Sequence, residues 1–114
     1  MPLTTGPIEN MGNQPANATT VRVKILNRTG GELTGVVRVF RLNGTRRLLS
    51  SANFNVRANA SGFVTLSLVG GASQYETEIV PNQTGGLYSA YGRTASGVVI
   101  TAQRVLHSEL VQIL

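Results

Sequence analysis

The chain has 114 residues, which is enough for one domain with a single hydrophobic core and too few for two. Ten basic residues against five acidic ones give a formal charge of +5, and the chain contains no Asp, Cys or Trp. Disulfides, thiolate metal sites and a Cys nucleophile are therefore excluded, and the low aromatic content of 5% predicts an aliphatic core.

Residues 1–19 form a separate compositional zone, rich in Pro, Gly and Asn, whose larger apolar side chains after the first residue are Leu3, Ile8 and Met11. Such a segment buries too little apolar surface to fold alone, so we predict an extended N-terminal arm followed by one domain over residues 20–114. The arm has neither the basic region nor the apolar run of a Sec signal peptide. No later segment contains the roughly 20 apolar residues that a membrane helix needs, so no membrane partner is expected.

Short alternating runs separated by turn residues fill the rest of the chain, and they predict strands over residues 21–26, 63–69, 74–80, 87–93 and 98–106. The strongest signal is a ribbon over residues 35–56, whose Asn43-Gly44 dipeptide predicts a two-residue type I′ turn. Its second half is expected to bend near Ser50 and to place Leu48 on the same face as Phe54. The tail over residues 107–114 fits a short helix or a strand, and the strand is favoured.

About seven or eight short strands, spaced at roughly 8–12 residues, are typical of an all-β protein with two packed sheets. Thirteen glycines and many Asn, Ser and Thr residues provide the turns between them. The sequence therefore predicts a single antiparallel β-sandwich, either jelly-roll or Ig-like, with the N-terminal arm attached.

Candidate catalytic groups are few. Glu76 and Glu78 lie two apart on one strand face, which is the ordinary position of solvent-facing acids. His107 is the single His, and the chain has no Cys or Asp with which it would form a metal site. The glycine pairs lack the Gly-Lys-Ser/Thr of a phosphate-binding loop. We therefore expect a protein that is not an enzyme and that uses no cofactor or metal.

Basic residues cluster around the ribbon turn, and a basic β-ribbon can bind nucleic acid. The other arginines are scattered, and the sequence predicts no aromatic stacking platform. The expected role of the cluster is to keep exposed strands soluble and to prevent unwanted edge pairing, so nucleic acid is not expected as a partner. The cluster consists of Arg38, Arg41, Arg46 and Arg47.

An extended arm provides a route to self-assembly. The segment from Pro2 to Ile8 can add to an edge or groove of another copy, with pockets for Leu3 and Ile8. Because arm and acceptor are different surfaces, the contact repeats head to tail and gives a ring or a filament. The sequence favours a structural subunit whose partners are other copies of itself, with Leu3, Ile8 and Met11 as inter-subunit anchors. Deletion of residues 1–19 is expected to leave a folded monomer.

The alternative from another class is a carbohydrate- or ligand-binding β-sandwich in which Tyr75, Tyr88 and Tyr91 form a platform for a sugar ring. Such a module stays monomeric with or without its arm, whereas a fibre subunit loses assembly when the arm is removed. A nucleic-acid-binding protein would show a steep dependence of affinity on salt.

Three stretches carry a resemblance to a known family: MPLTTGPIENMG at the start, VRVFRLNGTRRLL in the middle and RVLHSELVQIL at the end. Together they resemble small proteins of Bacillus-type spore formers. In overall design the chain resembles the subunits of bacterial endospore appendage fibres, which are jelly-roll domains with an N-terminal connector that docks into neighbouring subunits. This chain lacks the cysteines that cross-link the best-known appendages. The resemblance implies an extracellular or spore-surface fibre, released by mother-cell lysis without a Sec signal, with Leu3 and Ile8 as connector anchors.

Overall fold

The structure is a computed structural model that describes residues 2–13, 16–68 and 72–113. Its strands form two antiparallel sheets packed face to face, so the predicted all-β sandwich is confirmed. Nine strands lie in the described ranges: β1 (Leu3–Thr4), β2 (Ile8–Glu9), β3 (Thr20–Asn27), β4 (Leu33–Leu42), β5 (Arg46–Val56), β6 (Ser61–Ser67), β7 (Gln74–Pro81), β8 (Gly86–Arg93) and β9 (Val111–Gln112).

The larger sheet has the strand order β5-β4-β7-β1-β9, with β2 also paired to β7, and the smaller sheet has the order β6-β3-β8. The hairpin of β4 and β5 stays in one sheet, whereas each other connection between β3 and β8 crosses to the opposite sheet. The last two strands, β8 and β9, lie in different sheets. This differs from the immunoglobulin order, in which the last two strands are neighbours.

The core lies between the two sheets and is mainly aliphatic, as the composition predicts. Alternation along β3 turns Val21, Val23 and Ile25 inward, where each is at most 2% exposed, and leaves Arg22 and Lys24 on the outer surface. Each such buried side chain stabilises the fold by about 1.5–3 kcal/mol relative to an exposed one. The inward faces of β4, β5 and β7 in the larger sheet supply the opposing side chains.

The turn of the β4–β5 hairpin differs from the prediction. The last paired residues are Leu42 and Arg46, so residues 43–45 form a three-residue loop. Gly44 has a φ of 96°, whereas Asn43 is not in the positive-φ region that a type I′ turn requires of both central residues. Three-residue loops with one left-handed glycine are the next most common hairpin connection.

A β-bulge changes the facing of side chains in β5. Phe40 pairs with Leu48 and Val39 pairs with Ser50, so Leu49 is the extra residue. One inserted residue moves every side chain beyond it to the other face of the sheet. The prediction that Leu48 lies on the core face is therefore wrong, and Leu48 is 51% exposed. The strand remains continuous through the bulge.

The predicted strand over residues 98–106 is wrong in its middle. A 3-10 helix covers Thr101–Gln103, and single bridges join Val99 to Arg93 and Val105 to Ala90. The helical turn brings the side chain of Gln103 into the interior, where it is 2% exposed. At the C-terminus, β9 confirms the favoured strand, after a second 3-10 helix over His107–Glu109.

The described part of the N-terminal segment lies on the domain of the same chain. Strands β1 and β2 pair antiparallel with β7, and β9 pairs with the other side of β1. The separate, extended arm that the composition predicts is therefore not confirmed. Two of the predicted anchors, Leu3 and Ile8, thus pack on the sandwich of their own chain.

Candidate functional site

The contact between the N-terminal segment and the larger sheet is the candidate site, and we call it the arm joint: residues 2–13 together with β7 and β9. Main-chain pairing defines it, because Leu3 lies opposite Ile79 and Ile8 lies opposite Tyr75. The Thr5 N–H also donates to the Thr77 carbonyl oxygen at 3.0 Å, between the two short strands. The joint is thus an added strand at the edge of β7.

Gly6 and Pro7 separate β1 from β2. Gly6 has a φ of 70°, a conformation that favours glycine, and proline has no N–H with which to extend the ladder. The Thr5 hydroxyl compensates, because it accepts a hydrogen bond from the Thr77 N–H at 3.1 Å and donates to the Gly6 carbonyl at 2.8 Å. The arm is therefore held in two short pieces on either side of this interruption.

Two of the three predicted anchors are packed within the joint. Leu3 and Ile8 are partly buried and pack against the hydrophobic core. Met11 is 59% exposed and does not belong to the described packed cluster. The structure therefore brings Leu3 and Ile8 together with the acceptor strand and leaves Met11 at the surface.

A buried asparagine fixes the end of the arm. Asn10 is 2% exposed, and its Nδ2 donates to the carbonyl oxygens of Ala72 at 2.9 Å and Ala18 at 3.1 Å. Its Oδ1 accepts the Ala18 N–H at 2.8 Å. One side chain thus pairs polar backbone groups from two separate segments, which would otherwise be buried without partners.

Gln103 joins Asn10 to the core. Its Nε2 donates to Asn10 Oδ1 at 2.9 Å and to the Glu9 carbonyl at 3.0 Å, while its Oε1 accepts the Tyr75 hydroxyl at 2.6 Å. Burial raises the pKa of Tyr75, so its hydroxyl stays protonated and donates at neutral pH. Sequence reasoning missed this network, because isolated amides far apart in the chain leave no periodic signal.

The acidic pair on β7 lies beside the joint. The Thr4 hydroxyl donates to the Glu76 carboxylate, which also accepts Arg46 Nε at 2.7 Å. Glu78 accepts from Arg38 at 3.2 Å and from Arg46 at 3.3 Å. These carboxylates were expected to face solvent, but their side chains are only 12–13% exposed because arginines cover them.

Arg46 is the central residue of this ion-pair group. Its guanidinium carbon lies 3.5 Å from the centroid of the Phe40 ring, and its hydrogen bond to Glu76 raises the pKa of the guanidinium. Two of the four arginines around the hairpin turn, Arg38 and Arg46, are thus neutralised. This weakens the case for the hairpin as a nucleic-acid-binding ribbon.

The three tyrosines do not form a sugar platform. Tyr75 and Tyr88 are 0% and 3% exposed, and Tyr91 lies on the opposite face of β8 from Tyr88, as predicted.

The N–H of Tyr88 donates to His107 Nδ1 at 3.2 Å, beside a pocket of about 150 Å³ that Leu3 also lines. His107 therefore holds β8 in place.

Within residues 2–13, 16–68 and 72–113, no group of three or more His, Cys, Asp or Glu side chains is placed to hold a metal ion. No helix in the same ranges has the length and apolar character needed to span a membrane. Comparison with family models, curated proteins and solved structures found no match to this chain.

Proposed function

We propose that this protein is a structural subunit that assembles with copies of itself by inserting its N-terminal arm into the arm joint of a neighbouring chain. The observation that carries the proposal is how the arm is held. Its residues pair with the edge of β7 through the main chain, and Leu3 and Ile8 pack beneath them. This is strand addition, in which backbone hydrogen bonds provide affinity and side-chain pockets provide specificity.

An arm from a second chain would make the same contacts as the chain's own arm. Exchange between chains therefore needs no new surface, and its free-energy change is set mainly by the connecting segment and by the entropy of association. Each arm strand has only two residues, so the joint can open in small steps. If each chain donates its arm to the next, the contact repeats head to tail and builds a ring or a filament.

The form and location of the assembly belong to the same proposal. We take the polymer to be an extracellular or spore-surface fibre, because the overall plan of the chain resembles that of endospore appendage subunits. Its partners are other copies of the chain, and its mechanism requires neither cofactor nor catalytic group. Without cysteines, such a fibre would rest on strand pairing and packing alone.

The test compares assembly of the full chain with that of Ile8→Asp and Met11→Asp, using light scattering and negative-stain electron microscopy. Both variants add one negative charge to the arm, but Ile8 packs on the core and Met11 is 59% exposed. Because Ile8 makes the same contact in a self-docked and in an exchanged arm, Ile8→Asp weakens both by on the order of 1.5 kcal/mol relative to an undocked arm. The assembled fraction should therefore fall as chains with undocked arms accumulate. The assembled fraction of Met11→Asp should stay within about twofold of that of the unmodified chain. An unmodified chain that stays monomeric at every concentration would contradict the proposal.

A further inference from the structure

The outer face of the smaller sheet differs in chemistry from the rest of the surface. The alternation of β6, β3 and β8 directs every second residue outward, and the pairing places these residues in four rows of three. Together they supply three cations, two aromatic rings, two leucines and five hydroxyls. We call this the basic face: Ser67, Thr20 and Arg93; Thr65, Arg22 and Tyr91; Phe63, Lys24 and Ser89; Ser61, Leu26 and Leu87.

No acidic residue occurs in β3, β6 or β8, so the cations of the basic face have no neighbouring acid on their own sheet. The ion pairs found among the described residues are all on the larger sheet, where Arg38 and Arg46 meet Glu76 and Glu78. Two of the four arginines on β4 and β5 are therefore paired with acids, whereas the three cations of the basic face have no acid on their own sheet. A surface of this kind attracts anions.

Phe63 organises two of the cations. It is 52% exposed, and its ring centroid lies 4.2 Å from the Arg22 guanidinium carbon and 5.0 Å from Lys24 Nζ. Arg22 Nε also donates to the Thr65 hydroxyl at 3.1 Å. The guanidinium is thus held in place before any ligand arrives, and no protein partner is found for its terminal nitrogens among the described residues. Held in this way, Arg22 is suited to bidentate contact with a phosphate.

We propose that the basic face binds single-stranded nucleic acid, with Arg22, Lys24 and Arg93 on the phosphates and Phe63 and Tyr91 stacking on bases. Charge complementarity identifies an anionic polymer, and the exposed ring of Phe63 with the partly exposed ring of Tyr91 favours one that carries flat bases. Open sheets with aromatic residues on one face bind single strands in this way in other proteins. The face measures roughly 10 Å across its strands and 20 Å along them, which is room for about four nucleotides.

A second copy of the chain fits this face less well. The protein is basic overall, and its acids at 76 and 78 are already paired with arginines. Two basic faces would repel each other, and the exposed acids at 9, 32 and 109 are single charges rather than a complementary cluster. The proposal therefore concerns a ligand that is distinct from the self-assembly described above.

The test uses the full chain and measures fluorescence anisotropy of a labelled oligothymidylate over a range of salt concentrations. Three phosphate contacts predict a slope of log affinity against log salt of about −2. The double variant Arg22→Ala/Lys24→Ala should bring the slope to about −0.7 and weaken binding by at least about tenfold at low salt. Phe63→Leu should weaken binding about tenfold with little change in the slope, because it removes stacking and leaves the charges.

The matched control is Arg47→Ala/Arg57→Ala, which removes the same charge from exposed residues outside the basic face. The affinity of this control for the oligonucleotide should stay within about threefold of that of the unmodified chain. An equal loss of affinity in both double variants would overturn the proposal, because binding would then follow net charge alone. If duplex DNA bound as tightly as the single strand, the stacking role of Phe63 and Tyr91 would be overturned, because paired bases are not free to stack on them. Binding to anionic vesicles or an acidic polysaccharide, with none to the oligonucleotide, would overturn the assigned ligand class.

Discussion

Replacing Asn10 with alanine removes the side chain that fixes the end of the arm. In the native structure its amide makes three short hydrogen bonds with the backbone of Ala18 and Ala72 and accepts a fourth from Gln103 at 2.9 Å. These four hydrogen bonds are buried, because Asn10 itself is only 2% exposed. The variant leaves these groups without their partner.

Each buried polar group that loses its hydrogen-bond partner costs about 1–3 kcal/mol. Four such groups set an upper limit, and water entering the space of the lost amide would satisfy some of them. We therefore expect Asn10→Ala to lower the free energy of unfolding by about 3–5 kcal/mol. That is a large share of the roughly 5–15 kcal/mol by which a domain of this size is stable.

Urea unfolding followed by circular dichroism measures this loss. Asn13→Ala is the matched control, because the hydrogen bonds of the Asn13 amide are 3.4 Å long and it is only partly buried. The control should lose less than about 0.5 kcal/mol. A loss below about 1 kcal/mol for Asn10→Ala would refute the claim that this amide network holds the arm to the domain.

Three further variants or conditions test other parts of the structure. Gly35→Ala should cost about 1–3 kcal/mol or more in urea unfolding, because the added Cβ would lie 2.3 Å from the Val80 carbonyl oxygen. Arg46→Ala should cost up to about 1 kcal/mol at low salt and less at high salt, because Glu76 loses its arginine partner. Burial raises the pKa of Tyr88 from its ordinary value of 10.0 to about 12, so its contribution of about 2–3 kcal/mol should be present below pH 10 and be lost between about pH 10 and 12.

These predictions have their own controls. Gly30→Ala should have little effect on stability, because no atom lies within 4 Å of its added Cβ, and equal losses at Gly30 and Gly35 would contradict the steric argument. For Arg46, a loss that does not change with salt would contradict the ion-pair account. For Tyr88, the free energy of unfolding is measured across the alkaline range for the unmodified chain and for the control variant Tyr88→Phe. Identical loss of stability in both proteins above pH 10 would contradict the assignment.

The strands could be predicted because alternation reports directly which side chains face inward. Strand β7, for example, was predicted over residues 74–80 and is found over Gln74–Pro81. The facing of Leu48 could not be predicted in the same way. A bulge adds one residue to one strand, and counting by twos along a single sequence does not detect it.

The arm joint could be predicted only in part. Leu3 and Ile8 stand out as apolar residues in a polar segment, but the partner that holds them is the edge of β7, about 70 residues away. Asn10 and Gln103 are 93 positions apart and become a pair only when the sandwich has formed. The expectation that deletion of residues 1–19 leaves a folded monomer also changes, because Asn10 and Ala18 are now seen to be buried parts of the domain. We expect the deletion to destabilise it.

The central claim is that the arm joint can form between chains, and cysteine cross-linking tests it most directly. Glu9 and Gln74 are exposed and lie directly opposite each other in β2 and β7, at a separation suited to a disulfide, and the natural chain contains no cysteine. Chains carrying Glu9→Cys alone and Gln74→Cys alone would be unfolded together, refolded as a mixture and oxidised. Arm exchange predicts a covalent dimer that joins residue 9 of one chain to residue 74 of another. A yield no higher than that from Glu9→Cys mixed with Asn53→Cys, a distant exposed site, would contradict the claim.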